Sequence, residues 1–134
     1  KCLIFTSLSG VVLGDIQQAL QEANIKHVVV TGSMTRFQRA KAIDTFQNDV
    51  TCRAFLLTTR SASYGLTLTA ASSIIFFEPC MNRSLRDQCI GRMDRIGQTK
   101  KSLDVITFAV ENSIEEKLAE VVKVKNWSFK DVNL

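Results

Sequence analysis

The sequence has few of the residues that bind metal ions or build disulfide frameworks. It contains one histidine, His27, and its four cysteines form no C-x-x-C pair: Cys2, Cys52, Cys80 and Cys89. A zinc site needs clustered thiolates or imidazoles, so no metal site is expected. With no sign of secretion, the dispersed cysteines predict reduced and mostly buried thiols in an intracellular protein.

Long apolar runs are also missing. No stretch approaches the roughly 20 apolar residues that a membrane-spanning helix requires, so we expect no membrane association. The chain starts in an apolar run at residues 2–5 and shows no signal peptide. This start is typical of a domain cut from a longer protein, and a hydrophobic content of 46% is enough for a folded core.

The phosphate-binding loop of nucleotide hydrolases is absent as well. No G-x-x-x-x-G-K-[ST] segment occurs, and there is no D-E-x-H segment that would hold magnesium. The chain therefore lacks a main ATP site and a carboxylate that activates water. If it takes part in ATP hydrolysis, these groups must precede Lys1 in the parent protein or lie on another chain.

What the sequence does contain is a regular alternation of apolar runs and amphipathic stretches. The 134 residues fit one domain spanning 1–134. Strands are predicted at 3–5, 28–30, 54–57, 74–77 and 105–108. Helices are predicted at 11–23, 35–46, 85–95 and 113–124. Strands that are apolar on every residue are buried on both faces, so this α/β pattern predicts a parallel sheet with helices on both sides.

Helical periodicity also predicts which side chains face the core. In the first helix they are Leu13, Ile16, Leu20 and Ala23. In the second helix they are Phe37, Ala40, Ile43 and Phe46. The last helix starts at Ser113, which could cap it, with Glu116 three residues further on.

Small polar residues follow three of the predicted strands. Binding residues of a parallel sheet gather beyond the carboxyl ends of its strands, so residues 6–7, 32–33 and 58–60 should share one rim. Small hydroxyl side chains and free backbone amides suit phosphate oxygens, and such contacts carry no base-sequence information. Each serine or threonine could equally be an ordinary loop cap. No aromatic stacking platform is visible, so base readout is not expected.

Positive charge is concentrated in one segment. The formal net charge is +4, and residues 83–101 account for all of it with six basic and two acidic residues. A local basic patch suits a polyanion such as phosphate or nucleic acid. Charge alone leaves open a simple solvated face.

The same segment contains the strongest motif, Q-C-I-G-R-M-D-R-I-G-Q, at residues 88–98. On a helix, Gln88, Arg92 and Arg95 form a stripe at the edge of the core, so both guanidiniums reach the same place. Like charges there are unfavourable without an anion. A triphosphate supplies one, because arginine donates bidentate hydrogen bonds to phosphate oxygens. Gly91 permits close approach of a neighbouring element, and Gly97 is expected to end the helix.

This motif resembles motif VI of superfamily-two helicases, in the form typical of the Swi/Snf-type family. Residues 2–7 resemble motif IV, residues 57–71 resemble motif V, and residues 114–118 resemble the closing T-I-E-E-K-I helix of that family. Thr31-Gly32-Ser33 with Arg39, Ile43 and Phe46 is similar to its G-S-x-x-x-x-x-R-x-x-x-I-x-x-F segment. The resemblance covers nearly the whole chain.

The resemblance implies a three-layer RecA-like domain that is the second lobe of a DNA-stimulated ATPase and is inactive alone. Arg92 and Arg95 would be the catalytic arginine fingers, reaching ATP that the first lobe holds with Mg²⁺. Gly65 and Gln88 would complete the ATP site with them. Such a finger is worth about 10³–10⁵ in rate in other systems.

The resemblance also implies partners. The DNA-binding residues would be Ser7, Gly32, Ser33, Thr59 and Arg60. Besides the first RecA-like lobe of the same protein and double-stranded DNA, nucleosomes or other proteins are expected partners. The expected localisation is the nucleus in a eukaryote and otherwise intracellular.

Some positions depart from the family pattern. Residues 61–64 read S-A-S-Y where two adjacent glycines are usual, Thr67 replaces an asparagine, and residues 78–83 read E-P-C-M-N-R in place of D-P-x-W-N-P. Two alternatives to the DNA translocase therefore stay open: a non-catalytic lobe that binds DNA or protein, and a lobe of an RNA helicase. An unrelated α/β nucleotide binder would need a glycine-rich loop after the first strand, which is absent.

Overall fold

The computed structural model describes residues 1–8 and 10–128, with side chains described as far as Val121. The strands are β1 Cys2–Thr6, β2 His27–Val30, β3 Ala54–Thr58, β4 Ser73–Phe76 and β5 Asp104–Thr107. The helices are α1 Val11–Glu22, α2 Arg36–Asn48, α3 Arg83–Ile90 and α4 Ile114–Ser128, with a 3₁₀ helix at Thr59–Tyr64.

In the described part of the chain, the strands form one parallel sheet in the order β2-β3-β1-β4-β5. The register is regular, with Leu3 of β1 opposite Phe55 of β3 on one side and Ile74 of β4 on the other. The predicted α/β class with a parallel sheet is confirmed. No helix among the described residues is long and apolar enough to cross a membrane.

Alternate side chains of the central strands build two separate cores. On one face, Leu3 and Phe5 pack with side chains of α2, the 3₁₀ helix and α3. On the other face, Ile4 and its neighbours pack against Leu13 and Ile16 of α1. Because successive strand residues point to opposite faces, a fully apolar strand such as β1 requires helices on both sides. The three-layer prediction is therefore confirmed.

Two predicted core positions of α2 are wrong. Phe37 is 79% exposed and Ala40 is also exposed, whereas Phe46 is fully buried and Ile43 packs beside it. At about 100° per residue, Phe37 lies opposite Phe46 on the helix, so both cannot face the sheet. The helix starts with a capping box, in which Thr35 and Gln38 exchange hydrogen bonds of 2.8 and 3.2 Å.

At two other helix ends, one prediction is wrong and one is confirmed. Ala23 is exposed because it lies just beyond the last residue of α1, so its predicted core position is wrong. At the start of α4, the Ser113 hydroxyl accepts a hydrogen bond from the backbone N–H of Glu115 at 3.1 Å. The Glu116 carboxylate accepts one from Asn112 N–H at 3.0 Å. The predicted cap at Ser113 is confirmed.

Strand β5 is not buried on both faces of the sheet, although its apolar sequence predicted that it would be. All four of its residues are exposed. It lies at the edge of the sheet and pairs only with β4 in the described residues. Apolar composition therefore predicted the strand correctly but not its burial, which depends on what lies next to it.

Candidate functional site

Helix α3 ends earlier than the sequence predicted. Helix α3 ends at Ile90 with Gly91 as its C-cap, and residues 91–97 form consecutive turns and bends rather than a helix. The prediction of a helix to residue 95, ended by Gly97, is wrong. Glycine has low helix propensity, so Gly91 ends the helix, while Gly97 has a φ of 104° in the turn after Arg95.

Arg92 is buried without a partner for its charge. It is 8% exposed, and its Nε has no hydrogen-bond partner among the described residues. Burial lowers its pKa, and the nearby positive charge of Arg95 lowers it further. A buried donor that makes no hydrogen bond costs about 1–3 kcal/mol. The Arg92 guanidinium therefore carries an uncompensated positive charge near that of Arg95.

Arg95 is exposed and held by uncharged acceptors. Its Nε donates to Gly91 O at 2.9 Å, and its Nη1 donates to Gly65 O at 3.3 Å and to Thr67 Oγ1 at 3.1 Å. A guanidinium has five N–H donors, so these contacts fix its plane and leave Nη2 available. None of the three acceptors neutralises its charge.

Hydrogen bonds attach residues 91–98, which contain Arg92 and Arg95, to the loop before β4. Leu68 N–H donates to Arg92 O at 2.8 Å, and Gln98 Nε2 donates to Ala71 O at 2.9 Å and to Met93 O at 3.1 Å. Fifteen buried residues, including Leu68, Ala71 and Met93, form the core beneath. The two segments that resemble motifs V and VI are therefore joined by hydrogen bonds and share one core.

The other two predicted ATP-binding residues, Gly65 and Gln88, belong to these same two segments. Gly65 has a φ of 70° and caps the 3₁₀ helix, a backbone conformation that favours glycine. Its carbonyl oxygen faces Arg95. Gln88 is exposed in the last turn of α3, and its side chain makes no hydrogen bond to the described residues. Their role in binding ATP stays a prediction.

A second site lies beyond the carboxyl ends of β1, β2 and β3. An open cavity of 560 Å³ is lined by four of the predicted DNA-binding residues: Ser7, Gly32, Ser33 and Arg60. We call this cavity the rim groove. Thr59 is 4% exposed and does not line it, whereas the adjacent Thr58 does. The predicted grouping along one rim is found for these four residues, and their role stays a prediction.

The rim groove offers several hydrogen-bond donors. The backbone N–H groups of Gly32 and Ser33 make no hydrogen bond to the described residues. The hydroxyls of Ser33 and Thr31 lie 3.0 Å apart. The side chain of Arg60 is exposed. Free amides, hydroxyls and a guanidinium are the groups that bind phosphate oxygens in a sequence-independent way.

Glu78 accepts a hydrogen bond from the backbone N–H of Ser7, a residue that the sequence predicted would bind DNA phosphate. Its carboxylate accepts hydrogen bonds from Ser7 N–H and from Thr6 Oγ1, the latter at 2.9 Å. In the sequence, residue 78 stands out only as part of a departure from the family pattern, which predicts no role for it. Because Glu78 follows β4, the rule that binding residues lie beyond the carboxyl ends of strands could have found it.

Tyr64 and Arg39 are also part of this region. Tyr64 lines the rim groove, and the guanidinium carbon of Arg39 lies 4.3 Å from the centroid of the Tyr64 ring. In the sequence, Arg39 belongs to a segment that resembles the family and Tyr64 to a departure from it, and neither is predicted to be part of a site. No sequence signal joins them, because they lie on different elements.

Groups of three or more metal-ligating side chains do not occur among the described residues. Asp94, the acidic residue between Arg92 and Arg95 in sequence, is exposed and forms no ion pair in the part of the chain described. A magnesium ion bound to ATP therefore finds no set of ligands on these residues, and we assign it no site on them.

Comparison with known proteins gives a consistent picture. Residues 1–97 match the family described as helicase conserved C-terminal domain. The ATP-dependent helicase rhp16 of Schizosaccharomyces pombe is 34% identical over 93% of this chain and 14% of its own length. The ATP-dependent helicase FUN30 of Saccharomyces cerevisiae is 33% identical over 93% of this chain and 11% of its own length.

A solved structure shows the same fold. The crystal structure of the C-terminal part of the Fun30 ATPase domain matches with a TM-score of 0.84 and 31% identity, covering 90% of this chain and 38% of that one. Helicase SWR1 of Yarrowia lipolytica is 31% identical over 93% of this chain and 7% of its own length. The chain thus spans a small part of the relatives that it matches.

Proposed function

The chain belongs to the helicase conserved C-terminal domain family, in its Swi/Snf-type branch, and we propose that it is the second motor lobe of an ATP-driven translocase on double-stranded DNA. In this proposal the first RecA-like lobe of the same protein holds ATP with Mg²⁺, and this lobe is inactive without it. The relatives named above are eukaryotic, which favours a nuclear location. Nucleosomes or other proteins are further partners under the same proposal.

The observation that carries the proposal is the uncompensated pair Arg92 and Arg95. One guanidinium is buried without a partner, and the other is oriented by three neutral oxygens. Positive charge held in a fixed position stabilises negative charge that develops on a phosphoryl group during transfer. Both residues would act when the lobes close, with Arg95 presenting the N–H groups of Nη2.

The rim groove supports the DNA part of the proposal. Its free backbone amides, hydroxyls and Arg60 would bind one strand of the duplex through its phosphates. Such contacts position a protein on DNA without reading bases, which suits a motor that moves over any sequence. Of the hydroxyl residues in the 58–61 stretch, Thr58 and Ser61 line the groove and Thr59 does not, and the Thr58 and Ser61 hydroxyls lie 2.9 Å apart.

The test compares arginine variants of the full-length protein. Arg95→Ala and Arg92→Ala are expected to lower DNA-stimulated ATP turnover by roughly 10³-fold, with ATP binding nearly preserved. Arg53→Ala is the matched control, because Arg53 is an exposed arginine before β3, at the opposite end of the sheet. Unchanged turnover in both finger variants would exclude them from catalysis.

A non-catalytic lobe is the second candidate, and the 3₁₀ helix favours it. Where the family has two glycines, Ala62 is buried and Ser63 is fixed by a hydrogen bond from its hydroxyl to Arg60 O at 2.8 Å. A backbone restricted in this way adapts less to ligands. Measuring ATP turnover of the full-length protein without nucleic acid, with duplex DNA and with RNA separates the candidates. Stimulation by RNA alone would indicate an RNA helicase.

A further inference from the structure

Tyr64 lines the rim groove, and its hydroxyl is available to donate a hydrogen bond. Its side chain is 43% exposed, and the hydroxyl makes no hydrogen bond to the described residues. A Cβ atom added at Gly32 would lie 3.6 Å from the Tyr64 hydroxyl oxygen, so the hydroxyl lies next to Gly32, whose backbone N–H makes no hydrogen bond to the described residues. Gly32, Ser33 and Tyr64 all line the rim groove, so the phenol O–H and the two free amides are donors of the same groove.

The ring of Tyr64 is held in place by Arg39. The guanidinium carbon of Arg39 lies 4.3 Å from the ring centroid, a distance typical of a cation–π contact. Arg39 belongs to α2 and Tyr64 ends the 3₁₀ helix, so the contact also joins two elements around the groove. Arg39 forms no ion pair among the described residues, so its charge is not neutralised by a carboxylate.

The chemistry of this pair favours phosphate over bases. The guanidinium covers one face of the ring, which hinders a base from being sandwiched on it. The phenol O–H remains free to donate, and hydrogen bonds to charged acceptors are stronger than those between neutral groups. The uncompensated charge of Arg39 adds electrostatic attraction to an anion in the same region.

We propose, resting on the proposed function, that Tyr64 is a further DNA-contacting residue that donates a hydrogen bond from its hydroxyl to a phosphate oxygen of duplex DNA, and that Arg39 positions its ring and adds charge to the same contact. Tyr64 directly follows Ala62 and Ser63, the two positions where the family has glycines, and adds a side-chain donor beside them. Tyr64 tunes the affinity for DNA and does not take part in ATP chemistry.

The experiment uses the full-length protein and two random-sequence DNA duplexes of equal length. Fluorescence anisotropy measures Kd for each duplex over a range of salt concentrations, and a steady-state assay measures kcat and KM for ATP at saturating DNA. The variants are Tyr64→Phe, which removes only the hydroxyl, and Arg39→Gln. Phe37→Ala is the control, because Phe37 is exposed on the side of α2 opposite to Arg39.

We expect Tyr64→Phe to weaken binding of both duplexes by about 3- to 10-fold, with kcat and KM for ATP unchanged. Arg39→Gln should weaken binding to a similar extent and reduce the salt dependence by about one phosphate contact. If wild-type protein is stimulated by DNA but Tyr64→Phe binds as tightly, this inference alone is overturned. A loss confined to one duplex would also overturn it, since it would indicate base readout. Wild-type protein that neither binds duplex DNA nor is stimulated by it would overturn the proposed function together with this inference.

Discussion

The guanidinium of Arg95 donates a hydrogen bond to the hydroxyl of Thr67 across 3.1 Å, although the two residues are 28 positions apart in sequence. Thr67 stands where the family usually has an asparagine. The same Nη1 atom also donates to Gly65 O at 3.3 Å. The loop before β4 therefore determines the direction in which the proposed finger points.

Removing the Thr67 hydroxyl is expected to slow ATP hydrolysis without affecting DNA binding. Thr67→Val keeps the shape but loses the acceptor, so Arg95 would occupy its catalytic orientation less often. A hydrogen bond contributes about 1 kcal/mol, which corresponds to roughly a five-fold decrease in kcat. Thr67→Ser keeps the hydroxyl and should behave like wild type. Equal kcat values for the Val and Ser variants would contradict this positioning role.

Replacing Arg92 with methionine is expected to stabilise the lobe while removing hydrolysis. The buried guanidinium has an Nε without a partner, and an apolar side chain of similar length avoids that cost. Hydrogen exchange of the β1 and β3 amides in the full-length protein should slow by roughly five-fold, equivalent to about 1 kcal/mol. Faster exchange in Arg92→Met would mean that Arg92 has a structural role that outweighs its desolvation.

The stability of the fold is expected to fall at alkaline pH because of Cys89. Burial raises the pKa of this thiol from 9.0 to about 12. The unfolded chain releases the proton above pH 9 while the folded chain retains it, so the stabilising contribution is complete below pH 9 and is lost as the pH rises toward 12. The slope can reach about 1.4 kcal/mol per pH unit.

Urea unfolding of wild type and Cys89→Ala at pH 8, 9 and 10 measures this effect. The difference in the free energy of unfolding between the two proteins should shrink as the pH rises, because only wild type carries the buried thiol. A difference that stays constant over this range would show that Cys89 does not titrate with the expected pKa.

Glu78 is expected to weaken DNA binding. Its carboxylate accepts the Ser7 N–H and places negative charge at the rim groove. Glu78→Gln keeps an acceptor oxygen for Ser7 N–H, while its amide nitrogen would donate to the Thr6 hydroxyl, and it removes the charge that repels phosphate. We expect Kd for duplex DNA to fall by about three-fold at low salt, with a smaller gain at high salt because screening weakens the repulsion. Asp44→Asn, on the exposed side of α2, is the control. Weaker binding by Glu78→Gln would mean that the carboxylate organises the groove.

The sequence predicted the elements well and their surroundings less well. All five strands were located to within about a residue, because each is a short apolar run between polar loops. Burial of Phe37 and the helical state of Arg95 were predicted wrongly. A spacing of three residues drifts around the helix, so Phe37 and Phe46 lie on opposite faces of α2 and only one of them can face the sheet, while α3 ends at Ile90, before Arg95.

The candidate sites divide in the same way. The rim position of Ser7, Gly32, Ser33 and Arg60 was predictable, because the carboxyl ends of parallel strands share one edge. The burial of Thr59 was not predictable, because it depends on the 3₁₀ helix that follows β3. The single-domain boundaries and the roles assigned to these residues stay predictions.

The amino-acid sequence by itself determined the α/β class, the strands and helices in chain order, and the motifs that identify the family. These follow from local periodicity and from the residues present at fixed spacing. Only the tertiary structure decided the strand order, the isolation of the Arg92 charge, the anchoring of Arg95 on Thr67 and the seating of Tyr64 against Arg39. Each of these is a contact or a burial between segments far apart in the chain, and its free energy exists only once the sheet has brought those segments together.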